Sequence, residues 1–266
     1  MTYAAFIEEL LIKTSKIALE NFGKVEGRIK KEDATQVLTD TDIEIGKYIV
    51  GEIEKTYPDY NIVDEEAGVV DKNSDYTWVV DPIDGTANFA VGVVTYGTMI
   101  GLLKNDIPIA GGLSLPSLDQ WATAEKGKGA YFNGKKTKVT PEADLSKVLV
   151  AVGEDPKKDN PDLVRKQIKI AGEILLNSQN LRRSNSVFDE MMVARGSYGG
   201  SIFFNGKIWD NVAPHIVIEE AGGIYTDVWG KSMDYSNPLK RTRQNFTSCA
   251  AAPTLHKKLQ KIIHAN

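Results

Sequence analysis

Between Trp78 and Phe89 the chain reads Trp-Val-Val-Asp-Pro-Ile-Asp-Gly-Thr-Ala-Asn-Phe, an apolar run that stops on two acids three residues apart. A short apolar run of this kind suits a buried strand, and its acidic end must emerge where water or a cation reaches it. Pro82 restricts the turn and Gly85 permits close backbone approach, so Asp81 and Asp84 can be aimed at one point. Their mutual repulsion calls for a cation. Hard oxygen ligands suit Mg2+, whereas the lack of clustered His and Cys argues against Zn2+. If Thr86 opens a helix, the N–H groups of Gly85, Thr86 and Ala87 face outward from its positive end and can receive phosphate oxygens.

Two further acidic elements accompany this motif. Val63-Asp64-Glu65-Glu66-Ala67-Gly68 lies upstream, and Trp209-Asp210 opens a helix ending in Glu219-Glu220-Ala221-Gly222-Gly223. Alone, Glu65-Glu66 reads as a solvated strand end and Asp210 as a helix cap. In company with Asp81 and Asp84 they read as parts of one site.

Helical spacing of Tyr3, Phe6, Ile7, Leu10, Leu11, Thr14, Ile17, Ala18 and Phe22 predicts an amphipathic first helix that closes at Gly23. Thr41 and Glu44 form a capping box for a second helix, placing Asp42 in its first turn. Strands are expected at 61–64 and 76–80, and antiparallel strands across 93–139, with turns at Lys104-Asn105-Asp106 and Asn133-Gly134. From Val148 onward strands and helices alternate, with a last helix over 254–264. The fold class is therefore α+β, layered sheets and helices in a single unit over 1–266. Its halves are an antiparallel-sheet part over 1–140 and an α/β part over 141–266.

With 32 basic against 36 acidic residues, a formal net charge of -4 offers no positive field for a nucleic-acid polymer or an anionic membrane. A small diffusible substrate fits better. The single cysteine, Cys249, excludes an intrachain disulfide and is read as a small buried residue. Glu8 and Glu9 interrupt the first apolar stretch, so the N-terminus is unlike a secretion signal and the cytoplasm is expected. The uncharged window from Gly85 to Leu103 is diluted by Gly92, Gly97 and Gly101 and is expected to be a buried strand pair rather than a membrane span.

The three acidic elements, in this order, resemble the inositol monophosphatase family. Its members carry a Glu-Glu segment, a Trp-x-x-Asp-Pro-Ile-Asp-Gly-Thr-x-Asn-Phe motif and a Trp-Asp helix ending in Glu-Ala-Gly-Gly. The resemblance implies an αβαβα sugar-phosphatase sandwich, commonly a homodimer. It implies two or three Mg2+ per site, with Mn2+ as a substitute and Li+ and Ca2+ inhibitory. Carried over residue by residue, it makes Glu65, Asp81 and the Ile83 carbonyl ligands of one metal. Asp81, Asp84 and Asp210 surround a second. Asp42 pairs with Thr86 to orient and deprotonate the attacking water, which Glu65 also holds. Glu66 supports the centre from behind or through metal-bound water, and Lys31 matches a position where the family often has an active-site lysine.

Family members hydrolyse inositol phosphates, fructose 1,6-bisphosphate, histidinol phosphate or phosphorylated adenosine derivatives, and the metal motif does not separate them. Where inositol phosphatases have a Gly-Thr-Ala-like segment, this chain has Ser184-Asn185-Ser186 after Arg182-Arg183, so Arg183, Ser184 and Asn185 are expected on the substrate side. Phe203-Phe204 replaces the glutamate expected to bind inositol hydroxyls. Two other readings compete: an aspartate-nucleophile phosphatase, disfavoured by the three-residue spacing of Asp81 and Asp84, and an inactive binding or regulatory homologue.

Overall fold

The computed structural model describes residues 1–29 and 37–266. The chain begins with α1 (Tyr3–Asn21), β1 (Arg28–Ile29), β2 (Val37–Leu38) and α2 (Asp40–Thr56). There follow β3 (Asn61–Asp64), β4 (Gly68–Val70), β5 (Tyr76–Asp84), the single turn α3 (Thr86–Ala90), β6 (Gly97–Lys104) and β7 (Ile107–Leu115). The first half closes with β8 (Gln120–Glu125), β9 (Gly129–Phe132) and β10 (Lys135–Lys136). The second half runs β11 (Leu149–Gly153), α4 (Pro161–Asn177), β12 (Asn180–Arg182), α5 (Val187–Ala194), β13 (Gly200–Phe203), α6 (Ile208–Glu220), β14 (Ile224–Thr226), β15 (Ser248–Ala251) and α7 (Pro253–Ala265).

Eight strands form one sheet in the order β10-β9-β8-β7-β6-β5-β3-β4, and five form a second in the order β12-β11-β13-β15-β14. Helices α1 and α2 cover the outer face of the larger sheet, α4 and α7 cover the smaller, and α5 and α6 pack between the two. This is the expected αβαβα layering. Gly111 shows how closely the central layer sits: a Cβ there would lie 2.8 Å from the Ala213 carbonyl oxygen. The interlayer core gathers Met99, Leu113, Met191, Val193 and Val217, all essentially inaccessible.

Local sequence explains most boundaries. α1 starts at Thr2, whose hydroxyl accepts from the Ala5 N–H at 3.2 Å, and stops before Gly23 at φ +67°. Asn105-Asp106 and Asn133-Gly134 adopt positive φ and turn β6 into β7 and β9 into β10. Two expectations are corrected. The cap of α2 is Thr39 with Asp42, not Thr41 with Glu44: the earlier of two overlapping frames wins because Thr86 gives Asp42 a further donor. β5 does not stop at Val80 but continues through a register shift to Asp84, where Pro82 cannot donate to the ladder.

A third expectation is corrected in part: the uncharged window is not a strand pair but the single turn α3 and most of β6, and among the described residues no helix is long and apolar enough to cross a membrane. Cys249 is fully buried in β15, and burial pushes its thiol up to about 12.

Candidate active site and metal centre

β5 carries Asp81 and Asp84 to the mouth of a cleft between the sheets, and the first turn of α6 brings Asp210 to meet them. Carboxylate oxygens of all three lie within 4.8 Å of one another. Each is held. The Val187 N–H at the start of α5 donates to Asp84, and the Lys207 N–H donates to Asp210 Oδ2 at 2.5 Å. The Glu65 N–H donates to the Val80 carbonyl at 3.1 Å, and Glu65 lines the same cleft with Asp81, Ile83 and Asp84.

Burial pushes the Asp84 carboxyl well above its ordinary range, and the charge of Asp210 pushes in the same direction. Burial raises Asp210 as well. A cation among the three acids would offset both penalties. Only oxygen donors converge here, and no His or Cys lines the cleft among the described residues. The donor set therefore fits a hard divalent ion.

Gly85 makes the corner after β5. It sits at φ +77°, and a Cβ there would lie 2.9 Å from the Thr95 carbonyl oxygen, so no other residue makes this turn unstrained. Thr86 begins α3 directly beyond it. Its hydroxyl faces Asp42 Oδ1 at 3.0 Å and the Ile83 carbonyl at 2.8 Å. Asp42, 1% exposed, also accepts from the Thr39 N–H at 2.9 Å. Burial pushes its carboxyl up to about 6, against the lowering effect of these bonds.

The opposite wall comes from the smaller sheet. Asp155, Asn185, Phe203, Asn205 and Lys207 line it. Asn185 Nδ2 donates to Asp155 Oδ1 at 2.9 Å and Asn205 Nδ2 to Asp155 Oδ2 at 2.6 Å, fixing the carboxylate in orientation. Asn185 reaches it from a positive φ of 52°.

A model described as the inositol monophosphatase family matches residues 2–265. The chain belongs to the inositol monophosphatase family. It is 33% identical over 213 residues to a fructose-1,6-bisphosphatase/inositol-1-monophosphatase of Aquifex aeolicus, covering 79% of this chain and 80% of that protein. It is 30% identical over 227 residues to a protein of Xylella fastidiosa named Nus factor SuhB, with 83% and 82% covered. Among solved structures, a Thermotoga maritima IMPase superposes with a TM-score of 0.87 at 27% identity, over 100% of this chain and 98% of that one. The protein is accordingly a phosphatase of a family that generally uses divalent metals, and its acidic cluster provides for one.

In this inositol monophosphatase family member Glu65, Asp81, Ile83, Asp84, Gly85, Thr86, Ala87, Asn185 and Asp210 share one cleft, and Asp42 adjoins it through Thr86. Glu66 stands behind; its N–H donates to Asp64 Oδ1 at 2.8 Å, and its charge helps raise Asp42. Arg183 pairs with Glu154 at 3.2 Å, and the Ser184 N–H donates to Asp189 at 3.2 Å; neither residue lines the cleft. Lys31 lies outside the described residues. The aromatic pair divides, with Phe204 in the core and Phe203 half-buried on the cleft wall. Asp155, Asn205 and Lys207 are absent from the sequence reading. The one signal for Asn205 and Lys207 is the run Asn205-Gly206-Lys207 just before Trp209-Asp210, and Asp155 has none.

Proposed function

We propose that this phosphatase hydrolyses the phosphate monoester of a small polyhydroxylated metabolite in an Mg2+-dependent reaction. The observation that carries the reading is the meeting of Asp81, Asp84 and Asp210 beside the Thr86–Asp42 hydrogen bond in one cleft. In this reading Glu65, Asp81, the Ile83 carbonyl, Asp84 and Asp210 hold the ions. Bound Mg2+ supplies positive charge against the phosphoryl oxygens and makes water a better nucleophile at neutral pH.

The chain's own groups divide the remaining work. Backbone N–H groups of Gly85, Thr86 and Ala87 hold the phosphate; α3 is one turn long, so these donors contribute more than any helix dipole. Thr86 Oγ1 donates its hydrogen bond to ionised Asp42 Oδ1, which leaves its lone pairs to accept a hydrogen bond from the attacking water; as the water attacks, its proton passes to Thr86 Oγ1 while the threonine's own passes to Asp42. Glu65 orients that water from the side of β3. Asp155, steadied by two amides, accepts from substrate hydroxyls, while Asn185 and Lys207 offer donors to them. With four polar side chains beside the single ring of Phe203, this wall favours a polyol phosphate, whose hydroxyls it can pair, over an adenine or imidazole group.

Phosphate release from inositol monophosphate, fructose 1,6-bisphosphate, histidinol phosphate and adenosine 3',5'-bisphosphate, with Mg2+ and with added Li+, tests this. Fastest turnover is expected on the two polyol phosphates, with inhibition by Li+. Release confined to the adenosine or histidinol compound would overturn the substrate class. No release on any of the four would favour a regulatory homologue.

A further inference from the structure

Pro214 stands inside α6, four residues beyond Asp210. Proline has no N–H, so the helix returns no bond to the Asp210 carbonyl, and the pyrrolidine ring crowds that carbonyl. The turn that carries Asp210 is weakened at the residue whose carboxylate has to be placed.

Asn211, the next residue, is gripped from several sides. Its Nδ2 donates to the Lys207 carbonyl at 2.6 Å, the Tyr225 hydroxyl lies 3.0 Å from its Oδ1, and the Tyr235 hydroxyl donates to its backbone carbonyl at 3.4 Å. Tyr225 Oη is also 3.1 Å from Glu190 Oε1. Glu190, Asn211 and Tyr225 are each 3% exposed. Glu190 belongs to α5, one turn beyond the Val187 N–H that donates to Asp84.

A phenol has one proton. The bond to Lys207 turns the Asn211 amide so that its oxygen, an acceptor, faces Tyr225. When Tyr225 donates to that oxygen, Glu190 is satisfied at Tyr225 only as a donor, that is as a neutral carboxylic acid. Burial independently pushes the Glu190 carboxyl well above its ordinary range.

We propose that Glu190, Tyr225 and Asn211 form a buried hydrogen-bonded clamp that positions Asp210 for cation binding, in place of the helix bond that Pro214 removes. Glu190 and Tyr225 are positioning residues. The proposal rests on the reading of Asp210 as a metal ligand.

The test is Mn2+ binding to the full chain by calorimetry, without substrate, alongside the metal-free thermal midpoint. Y225F and E190L are expected to weaken Mn2+ binding about tenfold or more. E190Q keeps a donor for Tyr225 and is expected within about twofold of the parent. Introducing an N–H with P214A should shrink the Y225F effect to under about threefold, because the two devices then share one task. Parent-like binding by Y225F overturns the clamp, even where E190L fails to fold. So does a loss in E190Q as large as in E190L, since charge rather than a donated bond would then matter. An undiminished Y225F effect in P214A overturns the compensation for proline. Absence of Mn2+ binding by the parent itself overturns the reading of Asp210, and with it the clamp.

Discussion

On the side of the larger sheet, Asp81, Ile83 and Asp84 leave a single strand within four residues, and Gly85 and Thr86 follow without interruption. On the side of the smaller sheet, Asp155, Asn185, Asn205 and Lys207 arrive from three separate connections after β11, before α5 and before α6. The first wall is built by one local bend, and the second by the parallel pairing that sets Gly153 of β11 beside Phe203 of β13. On the proposed reading, metal binding would sit where neighbouring residues fix one another, and substrate reading where loops can change without disturbing the centre.

The largest effect that would break this division is expected in D84N or D210N. Each removes a charged oxygen donor without removing core packing, so turnover should fall by several orders of magnitude while the folded state persists. Near-parental phosphate release by either purified variant would remove its residue from the centre. Next in size is T86A, which deletes the hydroxyl between Asp42 and the cleft. A loss in kcat of about 10²- to 10⁴-fold is expected, the range of general acid–base assistance, with KM little changed. A change confined to KM would show that Thr86 only binds.

D155A addresses the other wall. Loss of the acceptor should raise KM for polyol phosphates by roughly 1–3 kcal/mol of lost hydrogen bonding, about 5- to 150-fold, with much less effect on an aryl phosphate that has no hydroxyls. Equal losses on both substrates would make Asp155 part of the common machinery and erase the contrast between the walls.

That contrast also explains what the sequence discloses. Asp81 and Asp84 were legible because their meaning depends on residues within one turn of the chain, and Asp210 because Trp209 and the Glu-Ala-Gly-Gly end accompany it. Asp155 and Asn205 are ordinary loop residues until β11 and β13 pair, and no local period records that register. Ser248–Ala251 carries no strand signal for another reason: its small side chains have little β preference, yet β15 lies buried between β13 and β14. The capping frame of α2 was ambiguous because two Thr-x-x-acid boxes overlap, and the choice between them is made by Thr86, more than forty residues away.

The two sides should also titrate in opposite senses. Asp42 is raised to about 6 by burial, so phosphate release should fall as pH drops through about 6, as Asp42 takes up the proton that prevents it from accepting from Thr86. The same shift means that this carboxylate favours the folded state more at acid pH than at neutral pH, its contribution being lost as pH rises through about 6. His256, packed in the smaller-sheet layer with its Nε2 2.9 Å from Thr226 Oγ1, is shifted the other way, because burial lowers its affinity for a proton. Below the ordinary value of 6.5 the unfolded chain binds a proton that the folded chain does not, so stability should decline as pH falls from there. One proton limits the slope to about 1.4 kcal/mol per pH unit, the smallest of the effects considered. Denaturant unfolding of the metal-free parent and H256Q between neutral pH and pH 5 isolates it: the parent should lose stability relative to the variant on acidification. Parallel curves for the two proteins would mean that His256 titrates alike in both states, and that the opposition between the two sides does not extend beyond the cleft.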